Sequence, residues 1–421
     1  MDAAAPRCQF ARMIRHFDTV PDPRIDRTKR YRLTDILALT LLAVVSGAEG
    51  PTDIANYARA KWGWLCGFLR FDPAHIPSHD TLGRVLSLIR PEALEKALVK
   101  ITEELTDTAA AMAGMQGQKP RIPLHLDGKR LRRSFDRAHN HSAVHLINAY
   151  ASEAGVVLGQ ISCELGGATD PEDTVKTNEI PALRELLAMM TLEDTVVTID
   201  AMGCQRDLAE LVCERGGDYI LAVKANQKSL HEELKLLIGD AKERGFEGMG
   251  YDFDETVEKG HGRIETRRVW VTREVDWLKQ KDAVGGGWAG LRSVVYVESQ
   301  REVLDPAGGE PKKGKVEKRY YISSLDHRDR GQDAAWFGKI IRGHWGVENK
   351  VHHVLDVAFR QDEHRMRSRR LAENFARLER MVLNLIRVNT RKVKGSVKGK
   401  RKQATWSDDF ALEVIGLGRG N

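Results

Sequence analysis

The sequence lacks an apolar run long enough to cross a membrane. Its longest apolar stretch is Ile36–Val45, which is well short of the roughly 18 residues that a membrane-spanning helix needs. It also lacks the basic start, apolar run and small-residue cleavage site of a secretory signal. We therefore expect an intracellular protein with no membrane partner.

Cysteine is scarce, and the motifs of several common catalytic sites are absent. The chain has five cysteines, an odd number, with no CxxC pair, so neither a disulfide framework nor a cysteine zinc site is favoured. The patterns GxxxxGKS/T, HExxH and GxSxG are also missing, which argues against a P-loop, a zincin helix and a nucleophile elbow. The chemistry must come from another arrangement of residues.

Positive and negative charges nearly balance over most of the chain. The 421 residues hold 66 Lys and Arg against 60 Asp and Glu, for a net charge of +6. Residues 387–402 alone hold eight Lys and Arg and no acid, so the remainder sums to −2. This basic C-terminal tail, 387–421, suits polyanion binding, and a merely solvated tail is an equal alternative on charge alone.

The first part of the chain has a helical pattern. An apolar helix opens at Thr34 and ends by Gly47, and two short capped segments follow at 52–64 and 77–89. Two capped helices in succession permit a DNA-reading unit. A small bundle that only braces its neighbour is at least as good an interpretation of this N-terminal helical domain, 1–112.

After this domain the periodicity changes. Three short β-rich segments, at 122–127, 143–151 and 156–163, are followed by helices and strands in alternation. This pattern predicts a mixed α/β sheet, with 113–227 as the first part of the core.

The chain from 228 to 330 is strand-rich and polar, which predicts a β-rich insertion. Helical periodicity resumes at 331–386, the predicted helical remainder of the core. No internal repeat of solenoid type is visible. The predicted fold class is therefore α/β, with an insertion that interrupts the core.

Two aspartates end predicted core strands. Asp127 closes the segment Ile122–Asp127, and Asp200 closes the segment Thr195–Asp200. Ligands of open α/β sheets bind at the carboxyl ends of strands, and carboxylates on neighbouring strands can share Mg²⁺, which prefers oxygen ligands. One such Asp alone is more often a helix cap or turn former, whereas the pair is more specific.

A third acid is needed to hold two cations, and Glu348 is the best placed. It lies on an amphipathic helix that follows the insertion. His344 and His352 stand four residues before and after it, so the three side chains should share one helix face. An ordinary surface helix with His–Glu pairs is the alternative.

Basic residues beside the acids are candidate DNA contacts. Lys129, Arg130 and Arg132 follow Asp127 closely. Positive charge beside acids fits metal-dependent phosphodiester chemistry on nucleic acid, because cations and side chains jointly neutralise phosphates. A solvated surface is the alternative for this run. Lys224 lies at the end of the last core strand. It is either a DNA contact or simply the residue at which the strand passes into a loop.

Several short motifs occur in a particular order along nearly the whole chain. They are Phe17–Arg24, Pro77–Val85, Leu126–Lys129, Ile199–Gly203, and His344–Asn349 with Leu355–Phe359. In this combination the chain resembles bacterial insertion-sequence transposases of the DDE type, in particular the group of H-repeat-associated proteins. Each motif alone is weak, so the order carries the resemblance.

The resemblance implies a ribonuclease-H-like catalytic core, with Asp127, Asp200 and Glu348 as its three metal-binding acids. It implies Mg²⁺ as cofactor, with Mn²⁺ able to substitute, and a cytoplasmic, nucleoid-associated location. Double-stranded DNA is the implied substrate, as transposon ends and as target. A homodimer on DNA is expected, although no heptad pattern supports it. The expected reaction is two-metal phosphoryl transfer that cuts the ends and joins them to target DNA.

The chain departs from the family pattern around the glutamate. Related transposases often carry a Tyr and an Arg before the Glu and a Lys after it, and the corresponding residues here are Ile341, His344 and Leu355. Of these, His344 alone can donate to a phosphate. The resemblance therefore moves the expected grip on the transferred strand to Arg342, Lys350 or His352.

Two rival functions remain open. A ribonuclease-H-like nuclease would cut DNA without joining it, and strand-transfer products would distinguish the two. A transposase-derived DNA-binding protein would no longer be catalytic, yet all three acids are intact. A phosphatase of the haloacid-dehalogenase type is set aside, because its DxD pattern would need Asp where Lys129 stands.

Overall fold

The fold was analysed in a computed structural model that describes residues 5–112, 121–136, 142–163, 179–260, 262–281, 287–304, 312–329 and 331–417. The helices are α1 (Ala5–Asp18), α2 (Leu33–Val45), α3 (Pro51–Cys66), α4 (His79–Leu88), α5 (Pro91–Met112), α6 (Glu179–Ala188), α7 (Arg206–Glu214), α8 (Lys228–Glu243), α9 (Asp276–Lys281), α10 (Ala334–His344), α11 (His353–Phe359), α12 (Arg369–Asn389), α13 (Val397–Trp406) and α14 (Asp408–Val414). The strands are β1 (Ile122–Arg130), β2 (His145–Ala151), β3 (Val156–Cys163), β4 (Thr195–Ile199), β5 (Asp218–Val223), β6 (Tyr251–Gly260), β7 (Arg263–Thr272), β8 (Ser293–Val303), β9 (Lys312–Lys313) and β10 (Glu317–Ser323).

The chain divides into two compact units, and β1 contributes residues to both. The first unit comprises Met1–Lys119, Gly128–Met190 and Val347–Asn421, and the second comprises Pro120–Asp127 and Thr191–Gly346. One boundary lies inside β1, between Asp127 and Gly128. Another lies between Gly346 and Val347, just before Glu348.

The first unit is built around a helical core. α2 is buried along its whole length, because it is apolar on every side rather than along one stripe. α12 packs against α2, α4 and α5, and also against β3, which pairs antiparallel with β2. In the described ranges, no helix combines the length and apolar character that a membrane span requires.

Much of the predicted basic tail is folded into the first unit. α13 contributes Ala404 to the core, and α14 contributes Phe410 and Val414. Arg401 is buried, and its guanidinium donates hydrogen bonds to the carbonyl oxygens of Val44 and Ala358. The exposed cations of the segment include four lysines, Lys392, Lys394, Lys398 and Lys402. A polyanion contact here would therefore come from cations on a folded surface.

The second unit contains a mixed sheet. Its strand order is β1-β4-β5-β10-β8-β7-β6, with β9 paired to β8. β1, β4 and β5 run parallel, and the strands from β10 to β6 are antiparallel to their neighbours. α10 covers this sheet and buries Phe337 and Ile340 with Val196 and Val269. These features confirm the predicted α/β fold class, with its mixed sheet, β-rich insertion and N-terminal helical region.

The insertion differs from the predicted strand-rich pattern in one element. Its first part is the helix α8, whose buried residues Leu230, Leu234 and Ile238 recur at helical spacing among charged neighbours. The strand β6 is exposed along most of its length. The sequence does carry a strand signal here, because apolar residues at 251, 253 and 257 alternate with acids at 252, 254 and 258.

A buried charge cluster in the first unit makes a testable prediction. Glu95 is 1% exposed, and its carboxylate lies 2.6 Å from Nη1 of Arg380 and 3.3 Å from Nε of Arg377. Glu95→Gln leaves two buried guanidiniums without this countercharge. We therefore expect the free energy of unfolding, measured by urea denaturation, to fall by about 3–5 kcal/mol.

The matched control is Glu92→Gln, an exposed acid three residues earlier on α5. It should change the free energy of unfolding by less than about 0.5 kcal/mol. Equal losses in the two variants would contradict the role given to the buried cluster.

Candidate active site

Asp127 and Asp200 lie side by side at one edge of the second unit's sheet. β1 and β4 are parallel, and their register pairs Leu126 with Ile199. Each aspartate is the next residue, so both follow the last paired position. The predicted strand end at Asp127 is wrong, because β1 continues to Arg130. Only the pairing of β1 with β4 stops before Asp127. Neighbouring strands lie about 4.8 Å apart, a spacing that suits a ligand shared by two carboxylates. The two strands are therefore neighbours, which is the condition under which their carboxylates can share a cation.

Asp200 also begins a tight turn. A 3-10 turn, Ala201–Gly203, follows it, and Oδ1 of Asp200 accepts a hydrogen bond from the backbone N–H of Met202 at 3.2 Å. A Cβ at Gly203 would collide with Cγ2 of Ile199, so a residue with a side chain does not fit there. The turn-forming role that was the alternative for this Asp is present, and the Asp200 side chain is nevertheless exposed.

The loop after β5 braces the Asp200 turn. Nδ2 of Asn226 donates to the carbonyl oxygen of Ala201, and Nε2 of Gln227 donates to that of Cys204 at 2.8 Å. Lys224, just before them, is exposed. The sequence interpretation considered only a DNA contact or a strand exit here. It missed the two bracing amides, because no local pattern signals a partner more than twenty residues away.

A buried polar chain lies on the face that carries the two aspartates. Residues two apart on a strand share a face, so His125 lies on the face of Asp127 and Thr198 on that of Asp200. Oγ1 of Thr198 is 2.7 Å from Nδ1 of His125 and 2.9 Å from Nδ1 of His344. The sequence analysis missed His125 and Thr198, although their spacing before each Asp was a usable signal.

The polar chain fixes the end of α10 against β4. Burial lowers the pKa of His344, and the nearby Asp200 carboxylate opposes this shift. His344 is therefore neutral at pH 7. Its contact with Thr198 makes it a positioning residue, since one ring nitrogen is already used inside the second unit.

Glu348 belongs to the first unit and is exposed at the second residue of a π-helical turn, Val347–His352. The predicted common helix face of His344, Glu348 and His352 does not form. α10 ends at His344, and the i→i+5 pattern of the π-turn changes the direction of the residues that follow. Such turns occur frequently at functional sites.

Two predicted DNA contacts are used inside the first unit. His352 is 8% exposed, its Nε2 lies 3.2 Å from Nδ2 of Asn148, and burial, with the Lys129 charge, lowers its pKa to about 3. Lys129 is 7% exposed, pairs with Asp356 and lies 3.6 Å from Asp362. These side chains connect β1 and β2 to the segment after Glu348, so they are not among the proposed DNA contacts.

The other predicted DNA contacts differ in exposure. Arg342 of the second unit is exposed but paired with Glu258 of β6, which raises the pKa of the arginine and lowers that of the acid. It can bind a phosphate only by exchanging this partner. Four further cations are exposed or half-buried, namely Arg130, Arg132, Lys224 and Lys350.

Two comparisons of the sequence with family descriptions agree with this geometry. Residues 118–385 match the family described as "Transposase DDE domain", and residues 14–101 match the one described as "DDE_Tnp_1-associated". The chain belongs to the DDE transposase family. The resemblance drawn from the motifs is thereby confirmed.

Relatives of this DDE transposase family member are similar over nearly their full length. "Putative transposase YncI" of Escherichia coli O157:H7 is 33% identical over 96% of this chain and 94% of its own. "H repeat-associated putative transposase YhhI" of Escherichia coli K12 is 31% identical over 97% and 98%. Among solved structures, piggyBac transposase in a synaptic complex with hairpin DNA has a TM-score of 0.44 and 11% identity, covering 97% of this chain and 81% of that one. The family relation to the two E. coli proteins therefore includes the N-terminal helical region.

DDE transposases generally depend on a divalent metal, and the two neighbouring acids are suitable donors. Mg²⁺ is commonly held by one or two carboxylates together with waters and substrate phosphates. Asp127 and Asp200 provide such a pair. Within the described part of the chain, no group of three His, Cys, Asp or Glu side chains is placed to hold a metal ion.

The shared hydroxyl of Thr198 makes a second prediction. Thr198→Val keeps the shape of the side chain but removes one hydrogen-bond partner of His125, which is fully buried, and one of His344. We expect the free energy of unfolding to fall by about 1–3 kcal/mol, measured by urea denaturation. Thr198→Ser keeps the hydroxyl and should lose less, so equal losses in both variants would count against the polar chain.

Proposed function

We propose that this protein is a DNA transposase that cuts DNA at the ends of its element and joins those ends to target DNA. The observation that best supports this is the parallel register that sets Asp127 beside Asp200. Acids on neighbouring strands suit phosphoryl transfer, because phosphodiester chemistry needs charge neutralisation more than a protein nucleophile. The register lies within the part of the chain that matches the DDE domain.

Asp127, Asp200 and Glu348 are the proposed catalytic acids and metal ligands, with Mg²⁺ as cofactor and Mn²⁺ able to substitute. The bound ions would neutralise charge on the reacting phosphate. The carboxylates act as ligands rather than as proton carriers. In the first step water breaks a phosphodiester bond and leaves a 3′-hydroxyl. In the second step, that 3′-hydroxyl attacks a phosphate of the target strand and displaces the target's own 3′-oxygen. One phosphate–oxygen bond therefore forms for each one broken.

The assignment of Glu348 rests on its motif and on its position. It lies in the segment His344–Asn349, which is part of the family resemblance, and it is exposed in a π-turn. Within the first unit, the Lys129–Asp356 ion pair and the His352–Asn148 contact hold the segment that follows it. A fixed backbone is what a metal-binding acid requires.

DNA binding is proposed for both the N-terminal helical domain and the exposed cations. Residues 1–112 would recognise the transposon ends, 113–227 and 331–386 would form the catalytic core around the insertion 228–330, and 387–421 would add basic surface. A homodimer would pair two DNA ends. The proposed contacts to the DNA backbone are Arg130, Arg132, Lys224, Arg342 and Lys350, with His344 in a positioning role.

The acids define the first test of this function. Purified protein is incubated with Mg²⁺ or EDTA and DNA that carries the element's own ends, and the 3′-hydroxyl ends and joined products are mapped. Asp127→Asn, Asp200→Asn and Glu348→Gln should each reduce cleavage by at least about a thousandfold, since each removes charge that stabilises the transition state, while DNA affinity stays within a few-fold.

The control is Glu210→Gln, an exposed acid on α7 of the second unit, which should cut at the wild-type rate. A variant of the three acids that still cuts would remove that residue from the site. Metal-dependent cuts without joined products would favour a nuclease. Binding without cuts in the wild type would favour a DNA-binding protein that has lost catalysis.

The exposed lysines near the C-terminus define a second test. Truncation would remove core residues of α13 and α14 and would therefore disturb folding. Paired substitutions of exposed lysines remove charge without removing core residues. Lys394→Ala with Lys398→Ala should lower DNA affinity and flatten the plot of log affinity against log salt by about 0.9 for each phosphate that the variant no longer neutralises. Lys96→Ala with Lys100→Ala removes the same charge from exposed positions on α5. Equal slopes in both double variants would exclude a specific role for the C-terminal segment.

A further inference from the structure

A pocket of about 850 Å³ lies within the first unit. This volume is within the usual range of sites that bind small molecules. The pocket is lined by the start of α5, the strand β3, the helix α6 and the first turns of α12. None of the lining residues is a proposed catalytic acid or a proposed DNA contact. The proposed reaction therefore gives this pocket no role.

Two buried side chains in the pocket lining have polar atoms without a hydrogen-bond partner. Arg377 is 2% exposed, and among the described residues none accepts a hydrogen bond from its Nε or Nη1. Gln160 is fully buried, and none of the described residues donates to its Oε1. Such atoms are costly to bury unless they are paired. They suit a ligand that accepts from the guanidinium and donates to the amide oxygen.

The charges in and behind the buried part of the lining favour an anion. Arg377 and Arg380 share the carboxylate of Glu95, which lies 3.3 Å from Nε of the first and 2.6 Å from Nη1 of the second. The carboxylate of Glu373 lies 2.9 Å from Nε of Arg369 and 3.8 Å from Nη1 of Arg377. Three guanidiniums are thus set against two carboxylates. An oxyanion would supply the missing charge, and the fork of an arginine can bind a phosphate through two parallel hydrogen bonds.

Three helices begin at this pocket. The first turns of α5, α6 and α12 contribute Pro91, Pro181 and Arg369 to its lining. Each of these helices has ten or more residues, and a helix N-terminus carries partial positive charge. Ser368, which precedes α12, makes no side-chain cap hydrogen bond. The helix ends therefore add to the positive potential of the buried arginines.

The rim of the pocket is mixed in charge. Arg90 and Arg370 are exposed there, and so are Glu92 and Glu185. The two acids would repel an anion at the rim but would accept hydrogen bonds from hydroxyl or amino groups. The pocket is also much larger than a bare phosphate ion. These features fit a molecule with a phosphate at one end and hydrogen-bond donors at the other.

We propose that this pocket binds a small phosphorylated molecule of nucleotide size, with its phosphate on Arg377 and a hydroxyl or amino group on Gln160. The ligand is bound without a change in its covalent bonds. This site is independent of the proposed transposase function, because its binding can be measured without DNA and without metal.

The experiment is isothermal titration calorimetry of the full chain in EDTA, with adenosine 5′-monophosphate (AMP), adenosine, inorganic phosphate and succinate as probes. AMP should bind most tightly, phosphate more weakly, and adenosine and succinate weakest. Arg377→Met removes the guanidinium and should weaken AMP binding by about 10- to 100-fold, as expected for the loss of a hydrogen bond to a charged group. Arg377→Lys keeps the charge and should lose less. Thermal melting of each variant checks that it is folded, and AMP should raise the melting temperature of the wild type.

A rim variant keeps the test valid if substitution of the buried arginine disturbs folding. Arg370→Glu reverses an exposed charge at the rim and should weaken AMP binding by roughly fivefold or more, through repulsion of the phosphate. Arg84→Glu is the matched control, because Arg84 is exposed on α4 and does not line the pocket. It should leave AMP affinity unchanged.

Four outcomes would overturn the proposal. Adenosine that binds as tightly as AMP would show that the phosphate plays no part. Succinate that binds more tightly than AMP and phosphate would indicate a carboxylate site instead. Equal losses in Arg370→Glu and Arg84→Glu would place AMP elsewhere on the basic surface. The absence of both binding heat and thermal stabilisation with AMP and with phosphate would exclude a phosphate site in this pocket. None of these outcomes depends on whether the protein cuts DNA.

Discussion

The parallel pairing of β1 with β4 is the constraint on which the candidate site depends. The register that sets Leu126 against Ile199 places both aspartates at the same level of the sheet, directly after the last pair of residues that β1 and β4 share. A slip of one residue would turn one acid to the opposite face. The hydrogen bond between His125 and Thr198 joins residues that are partners in the same register, so the buried polar contact and the two acids depend on one alignment.

Buried polar pairs hold the functional segments in place within each unit. In the first unit, Lys129 pairs with Asp356 and His352 contacts Asn148, so the backbone around the π-turn is anchored at more than one point. A buried ion pair adds little net stability, because desolvation of the charges offsets their attraction. Breaking one is costly, however, and this asymmetry keeps the segment in a single arrangement. The exposed Glu348 benefits from that rigidity.

Sequence patterns did not predict the direction in which side chains point or how deeply they are buried. The helical spacing across 344–352 could not reveal the π-turn, because that turn arises from how the segment packs. The basic run after Asp127 correctly indicated positive charge near an acid. It could not show that Lys129 is buried with a countercharge while Arg132 is 80% exposed, since neighbouring residues of like charge are indistinguishable before the chain folds. The helix α8 was also overlooked, because its few apolar residues stand among charged ones.

The sequence by itself determined the family, the mixed α/β class and the two acids that follow apolar β-rich segments, because strand patterns, turn residues and motif order are local properties of the chain. Only the tertiary structure decided that β1 lies beside β4, that Thr198 links two histidines, and that Lys129 pairs with Asp356. Those contacts join residues far apart, 227 positions in the last case. Their formation depends on the burial and packing of the whole unit, which no short stretch of sequence contains.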